Sequence, residues 1–117
     1  MEKAEELRRR SKQFALRVIR MFKFLPRTEE AKILGKQVLR SGTSTAANYR
    51  AACRARSKAE FVSKMGIVVE EIDETVFWLE LLVESEIVEY RKIQELLKEA
   101  NELLAIFASS RKTARSR

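Results

Sequence analysis

Residues 57–84 read SKAEFVSKMGIVVEEIDETVFWLELLVE. Ser57 followed three residues later by Glu60 is a capping-box pattern, in which a hydroxyl accepts one of the free N–H groups of a first helical turn. Phe61, Met65, Val68, Ile72, Val76, Leu79 and Val83 then recur at three- and four-residue steps. That period places them on one face of a helix running from Lys58 to about Glu84.

Upstream, Thr28 followed by Glu29 and Glu30 starts another helix, because the hydroxyl can cap and the carboxylates favour the positive end of the dipole. This second helix is read over 29–54. Before it, Leu7, Ser11, Phe14, Val18, Met21 and Leu25 mark a helix over about 3–24, ended by Pro26. Downstream, Ser85 to Val88 reads as a short turn, and a helix over 89–110 is anchored by Ile93, Leu96, Leu97, Ala100, Leu103, Leu104 and Phe107. The basic tail 111–117 is expected to fray. Four long helices with short connections predict an all-α, antiparallel up-down-up-down four-helix bundle that occupies 1–117 as one domain.

Composition agrees with this. In 117 residues there are three glycines and one proline, and 45% of residues are apolar, enough for one hydrophobic core. Strand signals are absent. The single cysteine, Cys53, has no partner for an internal disulfide, and no apolar run reaches the roughly 18 residues that span a membrane. The charged start MEKAEELRRR is followed by no signal-type apolar segment, so a reducing, cytoplasmic location without membrane contact is expected.

Charge is uneven. Residues 1–64 carry 17 Lys/Arg against 6 Asp/Glu, whereas 65–117 carry 7 against 11. Arg8, Arg9, Arg10, Lys12, Arg17, Arg20 and Lys23 lie along the first helix, and Arg50, Arg54 and Arg56 cluster at the hinge after the second. Such residues can bind phosphate by releasing counterions, and are the candidate nucleic-acid contacts for RNA or DNA. Alternatively they form a solvated face or pair with the acidic half of a neighbouring subunit.

Some helices have apolar residues to spare. Ile67, Trp78 and Leu81 form a second stripe on the third helix, and Leu16, Ile19 and Phe24 a weaker one among the lysines and arginines of the first. One bundle core cannot bury both faces, which predicts a homo-oligomer interface at these six positions. The second helix has the opposite peculiarity. Its inward stripe of Leu34, Val38, Ser41, Thr45, Asn48 and Ala52 turns polar halfway, beside the small residues Gly35, Gly42, Ala46 and Cys53. Buried hydroxyls and amides need partners, and Glu70, Glu71 and Glu74 of the third helix are the candidates. Ser41, Thr45, Asn48, Glu71 and Glu74 are thus read as a polar packing layer, with a ligand or ion pocket as the alternative.

Catalysis has little to work with. The chain has no histidine, which removes Ser-His and Cys-His systems and the Glu-x-x-His di-metal site. Glu70, Glu71, Asp73 and Glu74 read as a solvated face rather than a metal site, and Cys53 as a packed thiol despite nearby arginines. There is no glycine-rich phosphate loop. No catalytic residue, metal or cofactor is expected.

The run LPRTEEAKILGKQVLRSGTSTAANYRAACRARSKAEFVSKMGIVVEEIDETVFWLELL, with ELLAIFASSRKTAR further on, closely resembles the 23S rRNA intervening-sequence proteins, also called S23-type ribosomal proteins. The combination of S-x-T-S-x-x-A-N, S-K-x-E-F and W-L-E-L-L carries the likeness, which extends from Phe14 to Arg115. Ser41, Ser44, Asn48, Glu60, Phe61, Glu71, Glu74 and Trp78 fall on the family pattern. Thr43, Thr45 and the pair Tyr49-Arg50 depart from it and mark a subgroup. The resemblance implies a four-helix bundle and a pentamer. It also implies similarity in fold to the basic accessory protein of diversity-generating retroelements, a pentameric barrel that associates with a reverse transcriptase and nucleic acid. Two functions follow: a nucleic-acid-associated oligomeric bundle, or a scaffold for a protein partner.

Overall fold

The computed structural model describes residues 2–117, which form four helices and no strand among the described residues: α1 (Glu2–Lys23), α2 (Glu29–Ala52), α3 (Lys58–Glu84) and α4 (Tyr90–Ser116). They pack antiparallel into a rod of 46 × 22 × 20 Å. The caps act locally as their residue types dictate. Thr28 Oγ1 accepts from the Ala31 N–H at 3.3 Å, and Ser57 Oγ accepts from the Glu60 N–H at 3.1 Å. Between α3 and α4 the chain reverses through a left-handed residue, Glu86 (φ 65°). Ile87 N–H reaches back to the Leu82 carbonyl and Glu86 N–H to that of Val83, the paired bonds of a Schellman ending.

The inward stripes become the core. Phe14, Val18, Met65, Ile72, Leu79, Leu103 and Phe107 are almost wholly buried, as are Val38 and Val68. The four seams between helices are unequal. α2 packs most extensively on α3, and α1 touches α4 least. Small residues also let α2 lie close against α1 and the turn that follows it. A Cβ added at Gly42 would meet Val18 at 3.1 Å, and one at Gly35 would fall 2.5 Å from Leu25 Cδ1.

The C-terminus differs from the sequence expectation. Residues 111–116 continue α4 instead of fraying. Arg111 lies across α3, where its Nε–H donates to the Val62 carbonyl at 3.2 Å. Gly66 makes room for it, since a Cβ there would stand 3.0 Å from the guanidinium.

Candidate nucleic-acid interface

The antiparallel fold redistributes the charge that the sequence divides by halves. The start of α1, the end of α2, the start of α3 and the end of α4 meet at one end of the rod. Segments 3–12, 42–70 and 104–117 hold 14 Lys/Arg against 4 Asp/Glu, and the opposite half, 13–41 with 71–103, holds 10 against 12. One end is strongly basic, and the other is close to neutral.

The predicted arginines divide accordingly. Arg8, Arg9, Lys12, Arg50, Arg54 and Arg56 are exposed and belong to the basic end. Arg10 does not face solvent freely. Its guanidinium is bonded to Glu99 through two N–H groups, at 2.6 and 3.0 Å, and to Glu102 at 3.2 Å, tying α1 to α4. The hydrogen bond to Glu99 raises the Arg10 pKa against a smaller opposing effect of burial. Arg17, Arg20 and Lys23 lie in the other half, and Arg17 lines a groove of about 310 Å3 with Met21, Phe24, Lys92 and Leu96. In their place the fold brings in the cations of α4, Arg111, Lys112, Arg115 and Arg117. These stood in plain view in the sequence as RKTARSR, and only the topology shows that they join the hinge arginines.

The polar layer exists with other partners. Ser41 and Thr45 are buried and Asn48 half-buried. Thr45 Oγ1 donates to the Ser41 carbonyl at 2.8 Å, Asn48 Nδ2 donates to the Ser44 carbonyl and Oγ at 2.9 Å each, and Ser41 Oγ donates to the Gln37 carbonyl at 2.9 Å. Across the seam the bond is between hydroxyls, Thr75 Oγ1 to Ser41 Oγ at 2.8 Å. Glu71 and Glu74 take no part. Both accept instead from the exposed α2 residue Arg40, at 3.2 and 2.8 Å, which adds an ionic link between α2 and α3 beside the hydroxyl layer. A carboxylate near the core would have to be desolvated, whereas Ser and Thr can return their protons to carbonyls of their own helix. Arg40 between two of the acidic groups also argues against a cation there.

Of the predicted interface positions, Leu16, Phe24 and Ile67 are exposed, and Ile19, Trp78 and Leu81 are half-buried. Phe24, 87% exposed, stands over the α1–α4 seam. Ile33 and Phe77 are exposed too, at 57% and 50%, and were not anticipated. Phe77 packs edge-on against Trp78 with centroids 5.0 Å apart, and the shielded Trp78 indole N–H has no acceptor. At the basic end, Tyr49 is buried against Phe107, with ring centroids 4.9 Å apart. Burial first, and hydrogen bonding to Cys53 second, push its phenol pKa well above the ordinary value.

Residues 3–109 match the family model of the 23S rRNA-intervening sequence protein. The chain belongs to that family. It is also similar to a protein with unknown function from the S23 ribosomal protein family of Bacteroides thetaiotaomicron VPI-5482, solved at 1.70 Å resolution. The two are 34% identical over 94% of this chain and 98% of that one, with a TM-score of 0.87. No curated protein matches the chain. No helix among the described residues is long and apolar enough to cross a membrane.

Proposed function

We propose that this family member is a non-enzymatic, cytoplasmic, self-associating bundle that engages nucleic acid, rRNA or DNA, through its basic end. The observation that carries the reading is the gathering of 14 cationic side chains against 4 acidic ones in one half of a small rod. Phosphate binding needs closely spaced Lys and Arg and little else, and it gives sequence-independent, salt-sensitive affinity. Filter binding to structured RNA and to duplex DNA at about 50 and 200 mM salt tests it. Retention at the lower salt that is lost at the higher is the expected result. Arg54→Glu with Arg56→Glu weakens binding about tenfold or more, and Arg20→Glu with Lys23→Glu in the far half has a smaller effect. No retention of either polymer at low salt would overturn the reading.

Self-association is supported by the exposed Leu16, Ile33, Ile67 and Phe77 on α1, α2 and α3. In a closed ring, five-membered as the family resemblance implies, each copy would add its basic end to a shared surface and raise avidity. Light scattering on the wild type and on Ile67→Glu tests this, and a wild-type monomer at all concentrations would refute it. An assembly that retains no nucleic acid would favour the second reading, a scaffold for a protein partner.

A further inference from the structure

The basic end is concave. Past the Arg10 clamp, α1 and α4 leave a groove of about 810 Å3 between them. Leu7, Tyr49 and Phe61 form its apolar floor, while Ala105, Ser109 and Thr113 of α4 make one wall of small side chains. Lys3, Arg10 and Arg117 stand among its lining residues with a single carboxylate, Glu6. A duplex presents phosphates to such a surface but hides its base faces, so it gains nothing from the apolar slot. A single strand can offer both. Unstacked bases are flat, tolerate any wall without a donor pattern, and gain from aromatic and apolar contact.

We propose that this groove takes the unstacked bases of a single-stranded segment, with the flanking phosphates on the basic rim. The inference rests on the nucleic-acid reading above and specifies the form of polymer preferred. Charge complementarity selects this occupant over an acidic helix from a protein. The cations extend well beyond the groove, to Arg50, Arg54 and Arg56 on the hinge and Lys112 and Arg115 on α4, which suits a long polyanion passing over the end of the rod.

Fluorescence anisotropy with a short labelled oligouridylate and with an equally long RNA duplex tests the proposal on the full chain. The wild type should prefer the single strand about tenfold, the contribution of roughly one stacked base. Ala105→Leu with Ser109→Leu fills the groove from two exposed positions without changing charge. This variant should bring single-strand affinity down to the duplex level and leave duplex affinity unchanged, with circular dichroism melting to verify the fold. Equal affinity for both forms in the wild type, or a preference that survives filling the groove, would overturn the groove proposal while leaving phosphate binding intact. Binding of neither form overturns both. An acidic amphipathic peptide that binds the wild type more tightly than the oligouridylate does, and loses that affinity when the groove is filled, would reassign the groove to a protein partner.

Discussion

The α2–α3 seam and the α1–α4 seam join helices of similar length and are built oppositely. In the first, Ser41, Thr45 and Thr75 let the backbones come close, and every buried hydroxyl finds an acceptor in its own helix or across the contact. In the second, α1 and α4 touch little, grooves of about 810 and 310 Å3 open, and Arg10 with Glu99 and Glu102 forms the polar bridge. Small polar residues give a closed seam with nothing left to bind. A seam left open beside cations remains available to a ligand. The family-pattern residues Ser41, Glu71 and Glu74 therefore describe how α2 and α3 are joined, and the proposed working surface lies at the other seam.

Crowding the closed seam should have the largest effect. Ser41→Leu places a branched side chain where Thr75 Oγ1 now lies 2.8 Å away, and overpacking of this kind costs about 3 kcal/mol, read as a fall in urea midpoint. Nothing comparable is expected from Ala105→Leu in the open seam. Arg10→Ala comes next. It leaves Glu99, 19% exposed, without its partner, and costs about 1 to 2 kcal/mol after allowance for partial solvent access. Its loss should also speed amide exchange in the α1 and α4 turns that flank the clamp. Thr75→Val removes the cross-seam bond while Ser41 Oγ keeps its bond to the Gln37 carbonyl, so about 1 kcal/mol is lost. If Thr75→Val proves more damaging than Ser41→Leu, close approach is not what makes this seam tight.

The smallest effect is spectroscopic. Tyr49 is held neutral in the folded protein, with its pKa raised by burial. Because the unfolded phenol ionises near its ordinary value of about 10, this contribution to stability is complete below pH 10 and declines as pH rises toward the folded pKa. Ultraviolet titration should show one tyrosine ionising late, and Tyr49→Phe should remove that component. A late component that survives the substitution would mean that the floor of the basic-end groove is wetter than its packing implies.

Much of the fold was legible because it is written in local rules. Thr28 and Ser57 are caps, Pro26 is a stop, and the three- and four-residue periods are core faces. What stayed hidden depended on contacts distant in sequence. The end of α4 has no apolar stripe strong enough to predict a helix, and its anchor is Arg111 over Gly66, a pairing that only the packing of α3 on α4 creates. The polar layer was recognisable from Ser41, Thr45 and Asn48, but its cross-seam partner was Thr75. Glutamates seemed the natural match in polarity, and desolvation weighs against them there. The basic site was partly visible in the hinge arginines. The cations of α1 that are neighbours in sequence are divided in space, because 17–23 and 8–12 lie in opposite halves of the rod.

Hydrogen–deuterium exchange with and without a single-stranded oligonucleotide at low salt tests the assignment of the open, basic end as the working surface most directly. Protection is predicted in the first turns of α1, the α2–α3 connection and the last turns of α4, with the mid-seam amides around Ser41 and Thr75 unchanged. Protection centred instead on the outer face around Ile33, Arg40 and Glu74, with the basic end unaltered, would contradict it.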